Sequence, residues 1–271
     1  MAATRAGGHS SMWSYRRWRR QRIISRSAVG ETDWQAVFAR TPALRGLSGT
    51  ESARLRELAI LFMHEKTFSG ARGLAVTGRM RLTIALQACL PILNLGLEWY
   101  RGWVSIIVYA HDFAPIHAYV DDAGVVHTDQ ASLSGEAWLK GPLVLAWPNI
   151  ERSAAEGYNL IIHEFAHKLD MRNGVANGMP PLHQGMDLAA WTRDFSRAFE
   201  DFRGRVARDA APPRIDAYAA EAPEEFFAIM SELFFEAPEV IIECYPAVYR
   251  QLHDFYRQDP ITRRAATREF L

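Results

Sequence analysis

Asn159-Leu160-Ile161-Ile162-His163-Glu164-Phe165-Ala166-His167 is the stretch whose reading decides the fold. It holds no Pro or Gly, and its apolar residues suit a buried, amphipathic helix. In a helix, His163 and His167 lie four residues apart, about 400° of rotation, so both imidazoles leave nearly the same face. That is a two-pronged metal clamp. Glu164 lies between them, where a carboxylate can take a proton from a water held at the metal.

A catalytic zinc commonly takes three protein ligands and keeps one open position. The residues after His167 read Lys168-Leu169-Asp170-Met171-Arg172-Asn173-Gly174, so the closely spaced third histidine of metzincins is absent and a carboxylate is expected instead. The acidic segment Glu221 to Glu236 reads as a helix with Pro223 in its first turn. Within it Glu225 and Glu232 are seven apart and share a face with Ile229. Glu225 is expected to be the third ligand, with Glu232 supporting the ligands from behind. Glu221, Glu224 and Glu236 read as solvated or as complements to the helix dipole. Asp170 is placed either to accept a hydrogen bond from a ligand imidazole or to cap the loop that follows. Tyr218 stands open between an oxyanion donor and a core or interfacial tyrosine.

Three blocks, His163 to Gly174 (HEFAHKLDMRNG), Ile215 to Ala220 (IDAYAA) and Pro223 to Phe235 (PEEFFAIMSELFF), resemble the Mlc titration factor A family of zinc metallopeptidases. Leu97-Glu98-Trp99, Ile107-Val108-Tyr109 and Gly141 to Leu145 extend the resemblance, which runs from about Trp34 to the end. It implies zinc on His163, His167 and Glu225, one ion per chain, with Glu164 as general base and Tyr218 assisting the oxyanion. It also implies short peptide substrates, aminopeptidase-like cleavage, and a link to glucose uptake through a transcriptional repressor of the Mlc type. A non-catalytic regulator that binds such a repressor around a structural zinc is the alternative reading.

At 271 residues and 49% hydrophobic, the chain is long enough for one large domain. Residues 34–271 are expected to form a single zincin-like catalytic domain of gluzincin type, α+β, mostly helical, with a small mixed sheet before the metal helix. Residues 1–33 read as a flexible basic tail. The sheet should draw on the strand Trp103 to Tyr109, a hairpin around Asp121 to Gly124, and a last strand from Pro142 to Trp147 joined to the metal helix by a short loop. Leu143 to Asn149 is the expected rim against which an extended peptide would pair. Trp191 to Val206 and Val240 to Tyr256 read as helices, the second interrupted by Pro246.

Lys plus Arg and Asp plus Glu are 31 each, which gives no global field for nucleic acid or an anionic membrane. The basic cluster Arg16 to Arg22, interleaved with Trp13, Tyr15 and Trp18, reads as a weakly interacting tail. It lacks the apolar core of a signal peptide, and the tract from Ile84 to Leu97 is short of the roughly 20 residues that span a bilayer. A cytoplasmic protein with no membrane or direct nucleic-acid partner is the expectation. Cys89 and Cys244 read as reduced, and His64, His111, His117, His127, His183 and His253 as ordinary strand-end or surface histidines.

Overall fold

A computed structural model describes residues 8–111, 118–120, 126–128, 141–156 and 158–268. The chain opens with α1 (Gly8–Ser25), α2 (Glu31–Arg40) and α3 (Gly49–Glu65), followed by β1 (Thr67–Gly70), α4 (Gly78–Cys89) and β2 (Ser105–Tyr109). A short hairpin, β3 (Ala118–Val120) and β4 (Val126–Thr128), precedes β5 (Leu143–Ala146). Seven helices complete the described chain: α5 (Trp147–Glu156), α6 (Leu160–Asp170), α7 (Leu188–Ala207), α8 (Pro223–Glu236), α9 (Pro238–Cys244), α10 (Pro246–Tyr256) and α11 (Pro260–Arg268). The architecture is mostly helical with a small sheet, an α+β arrangement.

The sheet differs from expectation. β1, β2 and β5 form a three-stranded parallel sheet in that order, not a mixed one, and the β3–β4 hairpin is a separate antiparallel pair. Parallel neighbours need long crossovers, and α4 with its following turns supplies the one between β1 and β2. Ile106, Val108, Leu143 and Leu145 are buried, as expected for strands carrying helices. The turn expected at Asp121 to Gly124 lies outside the described residues, as does His117. The expected rim from Leu143 to Asn149 is strand only to Ala146, because Trp147 begins α5, with Pro148 tolerated in its first turn. A helix therefore stands where a short loop was expected.

Local chemistry explains the helix boundaries. Ser48 caps α3 in a reciprocal box with Glu51, and Thr77 accepts from the Met80 amide at the start of α4. Pro223, Pro238, Pro246 and Pro260 each sit in a first turn, where the missing N–H costs nothing. Residues 8–25, expected as tail, are helical, and Ile23 and Ile24 pack against the core.

The core has two aromatic centres, and each backs one functional helix. Phe165, fully buried on α6, has its ring centroid 5.0 Å from Tyr100 and 5.7 Å from both Phe62 and Trp103. Behind α8, Phe226 and Phe227 meet Trp191, Phe195, Phe199 and Phe202 of α7. Such rings bury large apolar areas at fixed angles, so both helices are held from their far sides.

Candidate metal centre

Asn159 starts α6. Its side chain accepts from the Ile162 amide at 3.0 Å, a cap of the kind favoured at helix N-termini. From that start, Ile161, Ile162, Phe165, Ala166 and Leu169 are buried, while His163, Glu164 and His167 are partly exposed on the remaining face. α8 packs across α6 and brings Glu225 opposite the two histidines.

The three expected ligands converge. His163 Nε2 and His167 Nε2 are 3.2 Å apart, and Glu225 Oε2 lies 3.1 Å from the first and 3.4 Å from the second. The imidazoles are each 13% exposed and the carboxylate 14%, enough for entry from solvent. Glu225 Oε2 itself is buried without a properly aligned hydrogen bond among the described residues. A buried carboxylate oxygen left in that state is costly. Two nitrogens and one oxygen aimed into one space fit a divalent ion, which would satisfy all three at once.

Electrostatics tell the same story. Burial disfavours charge on Glu225, yet the neighbouring His163 and His167 hold its carboxyl well below the usual range. Burial likewise opposes protonation of His163, but Glu225 and Glu232 drive its pKa well above the ordinary value. An incoming cation must displace that proton, so metal uptake weakens as the pH falls.

Glu232 stands behind the ligands as expected. Its Oε1 is 2.6 Å from His163 Nδ1, which directs Nε2 towards the centre, and its Oε2 accepts from the Asn159 amide at 2.9 Å. Replacing Glu232 with Gln keeps the shape but removes the charge that favours a donating Nδ1–H. Metal affinity, read by competition with a chelating dye, is expected to fall roughly 10–100-fold.

Glu236 departs from expectation. It is 9% exposed instead of solvated, and its Oε1 accepts from Asn159 Nδ2 at 2.7 Å, while the same amide nitrogen donates to Gln87. Asn159 thus joins α4, α6 and α8 at one point. The sequence carried a sign of its capping role, an Asn just before an apolar run, but none of its distant partners.

Asp170 takes the loop-capping option. Its Oδ2 accepts from the Asn177 and Gly178 amides at 2.8 and 2.7 Å, and burial pushes its pKa up to about 6 despite those donors. Gly178 has φ +76° and lies so close to α8 that a Cβ there would be 2.6 Å from the Pro223 carbonyl oxygen. Only glycine fits both constraints without strain. The loop thereby stitches the end of one ligand helix to the start of the other.

Tyr218 sits in a 3-10 turn, Ala217–Ala220, whose first amide bond is closed by the Asp216 carboxylate. It is 44% exposed. Burial, followed by the carboxylates of Glu225, Glu221, Glu164 and Glu224, raises its pKa, so the phenol keeps its proton and remains a hydrogen-bond donor.

Residues 15–257 match the family described as Glucose-regulated metallo-peptidase M90. The chain belongs to this family. Among curated members, Mlc titration factor A of Salmonella arizonae is 42% identical over 237 residues, covering 85% of this chain and 92% of the relative. The protein of the same name from Klebsiella pneumoniae is 39% identical over 242 residues, 88% of this chain and 90% of its own length. The Yersinia pestis relative is 40% identical over 225 residues, covering 82% and 83%. The metallo-peptidase match takes in most of α1, beyond the Trp34 boundary expected from the motifs. Among the described residues, no helix is long and apolar enough to cross a membrane.

Proposed function

We propose that this metallo-peptidase family member is a zinc-dependent peptidase, with one zinc on His163, His167 and Glu225, Glu164 as general base and Tyr218 as oxyanion donor. The convergence of His163 Nε2, His167 Nε2 and Glu225 Oε2 carries the reading. Zinc bonds of 2.0–2.1 Å in a tetrahedron imply ligand-to-ligand edges of about 3.3–3.4 Å. The separations of 3.1, 3.2 and 3.4 Å lie close to that value. A bound zinc supplies Lewis acidity, polarising a carbonyl and lowering the pKa of water towards about 7.

The remaining steps belong to side chains. Glu164, partly exposed beside the ligands, takes the proton from the attacking water and returns it to the leaving amine. Tyr218 donates a hydrogen bond from its phenol, keeping the proton, to the oxygen that gains charge as the carbonyl is attacked. β5, one of the two outer strands of the described sheet and joined through α5 to the metal helix, offers an edge for an extended peptide. A zincin-like scaffold of gluzincin type is the corresponding fold proposal.

Short peptides cleaved from the amino end fit the charge of the cleft. Glu221 and Glu224 act on Tyr218 along with Glu225, giving the mouth a negative field suited to a free ammonium group. The zinc-loaded protein is expected to hydrolyse an aminoacyl p-nitroanilide at least tenfold faster than its N-acetylated form. Equal rates would remove the aminopeptidase mode, and no hydrolysis of either, or of longer peptides, would sink the peptidase reading.

The relatives' name, Mlc titration factor A, supports a second role, binding of a repressor of the Mlc type; a cytoplasmic location and a link to glucose uptake are part of the same proposal. If zinc serves only structure, repressor binding will need the metal while peptides stay intact.

A further inference from the structure

The first thirty residues carry seven arginines and no Asp or Glu, so the other 241 hold 24 basic against 31 acidic residues. An evenly balanced total therefore conceals two oppositely charged parts. Arg16, Arg17, Arg19, Arg20 and Arg22 lie on α1 and Arg26 just beyond it, and none forms an ion pair with a described residue. Beside them a groove of about 650 Å³ opens between α1, α3 and α4. Trp18, Arg19, Arg22 and Arg26 line one side and His64 and Arg81 the other, with no acidic residue among the lining.

Aromatic rings accompany the charge. Tyr15 and Trp18 are 62% and 54% exposed, with ring centroids 5.9 Å apart and planes 30° from parallel. The Arg22 guanidinium sits 5.2 Å from the centre of the Trp18 ring. Arg81 is fixed across the groove by its bond to the Met63 carbonyl and its position over Phe68. Unpaired arginines beside exposed, roughly parallel rings suit a strand that presents phosphates and unstacked base faces together.

We propose that α1 and this groove bind single-stranded nucleic acid, with the arginines on phosphates and Trp18 and Tyr15 stacking on bases. A lipid surface fits less well. A membrane-lying helix needs a free apolar face opposite its charged one, whereas the arginines here surround the helix and Ile23 and Ile24 pack inwards. Duplex DNA would meet the phosphate field but leave the rings without bases to stack on.

The test uses the full chain and a fluorescein-labelled dT20 followed by anisotropy. Saturable binding is expected, and four phosphate contacts would weaken it roughly fifty-fold between 50 and 200 mM salt. Trp18→Ala is expected to weaken binding about tenfold without changing the salt slope. Arg19→Ala/Arg22→Ala/Arg26→Ala should weaken it further and flatten the slope. Circular dichroism verifies that both variants fold, and a charge-conserving Arg→Lys triple should restore most of the affinity. Absence of dT20 binding, full affinity in either alanine variant, a blunt duplex bound as tightly as dT20, or capture by phosphatidylglycerol vesicles without dT20 binding would each overturn the proposal.

Discussion

Glu164→Gln is expected to lower the rate of peptide hydrolysis by roughly 10²–10⁴-fold, the range attributed to a positioned general base. The amide keeps the size of the carboxylate, so α6 and its aromatic backing of Phe62, Tyr100 and Trp103 should be undisturbed. Glu164 is outside the converging set of His163, His167 and Glu225, so metal content should match that of the unmodified chain. The decisive comparison is kcat against KM. A base acting in the transition state lowers kcat and leaves substrate affinity near its original value. Full activity in metal-loaded Glu164→Gln would remove Glu164 from the mechanism, whereas lost metal would make it a ligand.

Glu225→Ala is expected to empty the site. Two histidines remain, but the only anionic donor of the trio is gone, together with its favourable field on the cation. The affinity loss should exceed the roughly 10–100-fold cost of removing an outer hydrogen-bond partner, and hydrolysis should vanish with the metal. Metal analysis after dialysis against a weak chelator reads the result. The substitution also takes away the first carboxylate that raises the His163 pKa, leaving Glu232 as the main one. His163 should then titrate at lower pH by NMR, a shift that records the lost contact independently of metal. Unchanged occupancy would exclude Glu225 as a ligand and return the choice to Glu224 or Glu232.

The helices of the centre were legible because their information is local and periodic. His163 and His167 are one turn apart, and Glu225 and Glu232 two turns apart, so rotation alone puts each pair on one face. Glu236, eleven residues beyond Glu225 and so about 20° from it by rotation, falls on that same face, and it misled because a carboxylate in the last turn was read as solvated. Its hydrogen-bond partner is Asn159, 77 residues earlier in the chain, which in turn bonds to Gln87 a further 72 residues back. Strand direction was equally hidden, since alternation reports faces and carries no sign of whether neighbours run parallel. β1 is four residues long and mostly exposed, which leaves no alternation to detect. α5 begins with Trp147-Pro148 straight after a strand, where an apolar aromatic reads as more strand. Gly178 needed the actual approach of Pro223 to acquire meaning.

Asn159 has one more consequence. By bonding to Gln87, Glu232 and Glu236 it fastens three helices around the ligands with contacts that involve no ion. Small zinc domains collapse without their metal because nothing else assembles the ligands. Here the cradle is built by the fold itself, so stripping the metal should yield an intact, resting protein that fresh zinc revives within minutes and without refolding. The amount of working enzyme would then follow the free metal concentration around it, a dial set by the surroundings and turned without making or destroying a single chain.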